Sequence, residues 1–386
     1  MQARDAGLTV LVAHPSGDLY GSDKMLLESV IGMRDEGFSV VVTLPTAGPL
    51  INELAAHGVS VLLCPTLVLR KSLLSPYGAL TLVKDALSGL VKGLRLMRDH
   101  RPDVIYVSTI TLPLWFLVAR VSRRPTVAHV HEAEGSASRL LRTLLAAPLL
   151  AAKSILVNSQ YSATVQERAI PRLKGRMNIV YNGVAGPPDA VLPREELKDG
   201  MRLLYVGRLS HRKGVDVAVG AVAELRRRGV DASLDIVGAV FPGNEAFLTG
   251  LEAQVAEHGL GRVVTFHGYQ SSIWPFLDRA DICLVPSRFD EPFGNTAVES
   301  LLAARPLIVS DTSGLREAAD GYRSSRFVAP DSVDELADAV QDIHGAWHDY
   351  REWAVIDAKL ARDKHSINTY RQAVAQAVSG AAGARR

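Results

Sequence analysis

The sequence predicts an α/β protein built from two doubly wound halves, each a parallel sheet with helices on both faces. Three observations carry this. Short apolar runs alternate with longer helical patterns from one end of the chain to the other, which is the signature of parallel strands joined by helical crossovers. Near the middle, Ala185-Gly186-Pro187-Pro188-Asp189 and a polar stretch to Gly200 interrupt the alternation, and a new strand pattern begins at Arg202. With 386 residues, each half is long enough to bury its own core, and 47% hydrophobic with 22% charged residues is ordinary for such a protein.

Taken in order, the first-half strands are expected at Leu8–Ala13, Phe38–Leu44, Val59–Leu63, Asp103–Val107, Pro125–Val130 and Ser154–Val157. The second-half strands are expected at Arg202–Val206, Ser233–Val237, Val263–Phe266, Ile282–Val285, Leu307–Val309 and Arg326–Val328. Helical patterns fill the gaps, among them Lys24–Glu36, Lys213–Arg228 and Asp334–His344. The tail from Ser379 to Arg386 is small and basic and is expected to fray. The boundaries read as an N-terminal half over 1–185, a linker over 186–200 and a C-terminal half over 201–355. Sheets of this kind take their ligands beyond the carboxyl ends of the strands.

Chemistry concentrates at those ends. Pro286 to Glu299 places Glu291 and Glu299 eight positions apart, astride Phe293-Gly294-Asn295-Thr296, a turn that should open a helix. A helix start offers unpaired backbone N–H groups and a partial positive charge, which suits an anion. Upstream, Tyr205-Val206-Gly207-Arg208 leads through Leu209-Ser210-His211-Arg212 to Lys213-Gly214, a strand end followed by a cationic loop. A guanidinium and an ammonium, Arg208 and Lys213, could offset a diphosphate without a metal. Between these, Phe266-His267-Gly268-Tyr269-Gln270 ends a strand, and Gly238 after another suits close backbone approach.

The first half carries its own strand-end groups. His14 to Lys24 contains Gly17, Tyr20, Gly21 and Ser22, with Ser22 placed to cap a helix beginning near Lys24 and Asp23 placed to complement its dipole or touch a hydroxyl. Its glycine spacing is not that of a dinucleotide fingerprint. His129-Val130-His131-Glu132 ends a later strand, with both histidines on one face and Glu132 on the other. Two histidines without a third ligand at metal-like spacing do not make a zinc site, and carboxylates near Glu291 are too few for one, so no metal is required.

The run from Gly207 to Gly214 together with Glu291-x7-Glu299 resembles the retaining GT-B glycosyltransferases of family 4, and the likeness extends over nearly the whole chain. The resemblance implies the GT-B fold: α/β, two Rossmann-like domains with parallel sheets facing across a cleft, and a C-terminal helix at about 363–380 packing back on the first. It implies transfer of a sugar from a UDP-, GDP- or dTDP-sugar donor to a glycan or lipid-linked acceptor, with configuration retained and no cofactor. Residue by residue, it gives Arg208, Lys213, Glu291 and His131 to the reacting centre. Gly207, Tyr269, Phe293, Gly294, Asn295, Thr296 and Glu299 go to the donor, and the loop with Gly17, Tyr20, Gly21 and Ser22 to the acceptor. That loop reads Tyr-Gly-Ser-Asp where the family often has Gly-Gly-(small)-Glu, so its acceptor contacts stay open. A nucleotide-sugar 2-epimerase and a non-catalytic nucleotide-sugar binding protein are the competing classes. A glycan phosphorylase fits less well, since no lysine environment suits a Schiff-base cofactor.

Charge and cysteine usage narrow the setting. Residues 1–185 hold 20 Lys/Arg against 13 Asp/Glu, while the remainder holds 23 against 28, so a net charge of +2 hides a basic first half. No dense basic-aromatic motif points to nucleic acid. The basic, apolar segments Arg70 to Arg101 and Arg139 to Lys153 suit an anionic inner-leaflet surface. Cys64 and Cys283 sit in separate apolar runs and read as buried thiols in a reducing compartment. Without a signal-peptide layout at Met1–Asp5 or an apolar stretch of spanning length, the expected location is the cytoplasm, or peripheral on its membrane face.

Overall fold

The computed structural model describes residues 7–69, 78–187, 189–241 and 243–383. The chain divides into two compact units, one formed by Met1–Gly183 with Ile367–Arg386 and one by Val184–Ser366.

In the first unit the order is β1 (Thr9–Ala13), α1 (Gly21–Asp35), β2 (Ser39–Leu44), α2 (Leu50–Ala56), β3 (Ser60–Leu63) and α3 (Gly78–His100). It continues with β4 (Val104–Val107), α4 (Pro113–Val121), β5 (Thr126–Val130), α5 (Arg139–Ala146), β6 (Ser154–Val157), α6 (Gln160–Ala169) and β7 (Met177–Ile179). The sheet runs β3-β2-β1-β4-β5-β6-β7, and every pairing is parallel. Strand alternation splits its core in two: Leu11, Ala13, Ile105, Val107, Ala128 and Val130 face one cluster, and Val10, Val12, Val104, Tyr106 and Val127 face the other. Each fully buried Val or Leu of this kind contributes about 1.5–3 kcal/mol over an exposed one.

The second unit contains β8 (Met201–Val206), α7 (Val215–Arg227), β9 (Ala232–Val237), α8 (Glu245–Glu257), β10 (Val264–Gly268), α9 (Trp274–Leu277) and β11 (Ile282–Val285). Then follow α10 (Asn295–Leu302), β12 (Leu307–Ser310), α11 (Ser313–Ala319), β13 (Ser325–Val328), α12 (Val333–Gly345) and α13 (Trp347–Lys364). Its sheet runs β10-β9-β8-β11-β12-β13, again wholly parallel. In each sheet the order reverses beside the first strand, between β1 and β4 and between β8 and β11. Loops leave those strands in opposite directions there, which opens a crevice.

α14 (Ile367–Gly383) returns to the first unit. Tyr370, Val374, Ala375 and Val378 join the core beneath α1, the Tyr370 hydroxyl meets Ser29 Oγ at 2.7 Å, and Arg371 pairs with Glu28 at 2.5 Å. Gly32 permits the crossing, because a Cβ there would meet the Arg371 backbone at 2.8 Å. The segment after Gly183 lies on the second unit, where Arg194 pairs with Asp281 at 2.5 Å and accepts the Trp347 indole N–H at 3.0 Å.

Three expectations need correction. β7 was absent from the strand pattern, because its three residues are part exposed and carry Asn178. α1 begins at Gly21, not near Lys24: Asp23 accepts the Tyr20 N–H at 2.8 Å, so Tyr20 occupies the cap position and Ser22 lies exposed within the first turn. The tail does not fray at Ser379; α14 stays helical to Gly383 because Ala381 is buried, and residues 384–386 lie outside the described residues. Part of the basic segment from Arg70 also lies outside them, at 70–77.

Candidate functional site

At the end of β8, Gly207 (φ 157°) and, at the end of β9, Gly238 (φ 145°) come so close that a Cβ on Gly238 would lie 1.8 Å from the Gly207 carbonyl. The strand ends are thus bare backbone, as the close-approach reading of Gly238 expected. Arg208 follows, its carbonyl accepting the Tyr205 hydroxyl at 2.9 Å and its guanidinium stacked 3.5 Å over the Phe241 ring. The cationic loop closes in a 3₁₀ turn over His211–Lys213, and Gly214 (φ 66°) starts α7 against Pro286, whose carbonyl a Cβ would meet at 1.9 Å. That contact brings the β8 loop onto the β11 loop.

There the two sequence motifs join. Glu291 is only 8% exposed and its carboxylate takes Lys213 Nζ at 2.5 Å, Arg212 Nη2 at 3.3 Å and the Ser287 hydroxyl at 3.4 Å. Burial alone would push this carboxyl up; Lys213 first and Arg212 second outweigh it and hold Glu291 below the ordinary carboxylate range. The Glu291 backbone is clamped as well: its N–H donates to Ser313 Oγ at 2.8 Å and its carbonyl accepts from Gly314 at 2.9 Å. Ser313 takes a left-handed φ of 39°, and a Cβ on Gly314 would strike the Glu291 and Pro292 carbonyls, so the α11 start moulds itself around this one glutamate. Arg288 anchors the same loop through Asp216 at 2.6 Å and Asp331 at 2.6 Å.

Beyond Glu291, Phe293 is buried and Gly294 (φ 107°) caps α10, with Leu315 filling the space a side chain would take. Asn295 and Thr296 open the helix, so their N–H groups precede the first intrahelical bonds. Thr296 Oγ1 donates to the Val206 carbonyl at 3.4 Å, fastening the α10 start to the β8 end. Glu299 falls between one and two turns into α10. Tyr269, just past β10, is 52% exposed.

In the first unit, His131 directly follows β5 with its ring 4.1 Å from that of His129, so both occupy one face as alternation predicts. Neither ring nitrogen of His131 has a hydrogen-bond partner among the described residues, although the residue is buried. Burial, then His14, push it down to about 3, against a smaller opposing pull from Asp23, so the ring is neutral near neutral pH. His129 is held by the Tyr106 hydroxyl at 2.5 Å, within a chain that continues to Ser29 and Tyr370. Asp23 is buried against His14 Nε2 at 2.7 Å, and His14 Nδ1 meets Ser108 Oγ at 2.6 Å. Glu132 turns the other way onto Thr109 and the His131 N–H, and burial pushes its carboxyl up to about 7. In the neighbouring loop Gly17 is a packing residue, pressed so close to Gly48 that a Cβ on the latter would lie 2.2 Å from the Gly17 carbonyl. Gly21 and Ser22 are exposed beside Tyr20.

Sequence reasoning missed Arg212, Ser313 and the His14–Asp23 pair. Arg212 was visible as a second cation beside Lys213, and His14 as a histidine at a strand end; Ser313 lies 22 positions from Glu291 and had no signal. Among the described residues no group of three or more His, Cys, Asp or Glu side chains could hold a metal.

Comparison with known proteins bears on both units. Residues 193–354 match the family described as Glycosyl transferases group 1, and residues 21–185 match Glycosyltransferase Family 4. The glycogen synthase of Mycobacterium tuberculosis (strain CDC 1551 / Oshkosh) is 30% identical over 270 residues, 65% of this chain and 63% of that protein. The alpha-D-kanosaminyltransferase of Streptomyces kanamyceticus is 32% identical over 150 residues, 38% of this chain and 37% of that protein. The chain thus spans less than two thirds of the length of these relatives. Among solved structures, Anabaena Alr3699/HepE in complex with UDP and glucose superposes with a TM-score of 0.81 at 21% identity, over 96% of this chain and 99% of that one.

Proposed function

The chain belongs to the GT-B glycosyltransferases of the group 1 and family 4 lineage, and from that premise we propose that it moves a sugar from a nucleoside-diphosphate donor to a hydroxyl acceptor with retention of configuration. The observation that carries this reading is the second-unit cluster in which buried, ionised Glu291 meets Lys213 and Arg212 beside the α10 N-terminus. As the glycosidic bond breaks, negative charge grows on the leaving diphosphate. Lys213, Arg208 and the N–H groups at 295–296 are donors fixed in advance for that charge, so little reorganisation is needed when it forms. Glu291, with no freedom to swing, accepts hydroxyls of the donor sugar. Glu299 binds the ribose, and Tyr269 lies beside the base. His131, neutral and with unpartnered ring nitrogens, orients the transferred sugar by hydrogen bonds. No carboxylate is assigned as a covalent nucleophile; a leaving phosphate oxygen takes the acceptor proton on the same face of the sugar. No metal enters this scheme.

A structural neighbour supports the choice of a first donor. Anabaena HepE is solved with UDP and glucose, and a UDP-sugar is accordingly the first donor to try. The acceptor is read as a growing glycan or a lipid-linked saccharide, engaged by the loop holding Tyr20, Gly21 and Ser22. Leu140 and Leu144, 71% and 58% exposed and one turn apart on α5, lie among Arg139 and Arg142 and suit contact with an anionic inner leaflet. No described helix is long and apolar enough to cross a membrane. Incubation with UDP-, GDP- and dTDP-sugars and a panel of glycan and lipid-linked acceptors tests the proposal. Product with retained anomeric configuration supports it; donor conversion without acceptor would replace it by an isomerase.

A further inference from the structure

The first unit holds a cavity of about 390 Å³ that the sugar-transfer reading does not use. It is lined by Arg120, Arg123, Arg124 and Lys153, with Phe116 and Thr126 among its apolar and neutral walls, and no acidic residue lines it. Arg124 stands two residues before β5 and Lys153 one residue before β6, so the cavity opens at the amino ends of two paired strands. His131 lies past the opposite end of β5, roughly 17 Å away at the rise of a parallel strand. The cavity is therefore not the strand-end site.

None of these four cations forms an ion pair or side-chain hydrogen bond among the described residues, whereas most arginines of the second unit do. The carbonyl end of α4 and of the 3₁₀ turn over Ala147–Ala151 both come near, but two helix ends amount to about one negative charge in total. No carboxylate among the lining residues balances these four positive charges. Arg123 takes a left-handed φ of 53° directly after the α4 cap at Ser122, the backbone turn that ends the helix beside the cavity. A concave site of this volume with convergent cations matches a phosphate ester: an anion small enough to enter, with several oxygens to take guanidinium forks.

We propose that this cavity is a second anion site, which binds a phosphomonoester or phosphodiester borne on a small alcohol, either free in solution or as the headgroup of a lipid. The full chain would be titrated calorimetrically with glycerol phosphate and, separately, sedimented with phosphatidylcholine vesicles with or without phosphatidylglycerol. Each is repeated with Arg120→Gln/Lys153→Gln, two exposed positions whose loss should leave the melting temperature unchanged, and with Lys153→Arg, which keeps the charge. The expected result is binding that weakens about tenfold or more in the double variant and survives in Lys153→Arg. Loss confined to glycerol phosphate assigns a free ester, and loss of phosphatidylglycerol-dependent sedimentation assigns a headgroup. No binding of either probe, or binding equal in wild type and double variant, overturns the proposal.

Discussion

Glu291 shows how much a single buried carboxylate can be made to do by its neighbours. Its charge is kept by Lys213 and Arg212, so Lys213→Ala leaves a buried anion short of its closest partner and strips a cation from the diphosphate site. Glu291→Gln and Lys213→Ala are each expected to lower turnover by about 10²-fold or more with the secondary structure intact by circular dichroism. Near-normal turnover in both would remove these roles. Two buried groups at the β5 end carry opposite pH signatures. His131 is pushed down to about 3, so between its ordinary value of 6.5 and 3 the unfolded chain binds a proton that the folded chain refuses, and stability falls as pH falls through that window. Glu132 is pushed up to about 7; its contribution is present below about 4.5 and is lost as pH rises towards 7. Glu132→Gln is therefore expected to raise the melting temperature at pH 8 relative to wild type by more than it does at pH 5. An equal shift at both would mean the carboxyl titrates normally.

At the scale of elements, close backbone approaches position the site. Gly214 lets α7 start against the Pro286 carbonyl, and any Cβ there collides while also forcing a side chain into a left-handed φ. Gly214→Ala is expected to destabilise by about 1–3 kcal/mol in urea unfolding and to misplace the preceding Lys213, so activity should drop further than stability alone explains. An unchanged midpoint would show that the turn has room to relax. α14 is the other decisive element. It supplies Tyr370, Val374, Ala375 and Val378 to a core otherwise made by α1 and the sheet, so ending the chain at Ser366 is expected to unfold the first unit. A finer test is Tyr370→Phe, which breaks the bond to Ser29 and should cost about 1 kcal/mol.

For the whole molecule, a ligand that binds only the folded chain stabilises it by RT ln(1 + [L]/Kd), so the melting temperature keeps rising with ligand concentration even after the site is full. A nucleoside diphosphate at about 100 times its dissociation constant should add about 2.7 kcal/mol, and screening UDP, GDP and dTDP in this way is expected to single out one base. No shift with any of the three would count against the donor site. Much of this was legible beforehand. Twelve strands were located because period and apolar run length are local properties, and the Gly207–Lys213 and Glu291–Glu299 segments marked themselves by charge beside turn residues. β7 escaped because a short edge strand needs only its neighbour, not an apolar run. The partners of the marked residues escaped for a different reason. Lys213 and Glu291 are 78 positions apart, Glu291 and Ser313 are 22, and Ser29 and Tyr370 are 341. The sequence by itself determined twelve of the thirteen described strands, the helical patterns between them and where polar groups gather at their ends. Only the tertiary structure decided which of those ends meet, because parallel crossovers order the strands differently in space than along the chain. Hydrogen bonds and ion pairs act over a few ångströms regardless of how many residues lie between.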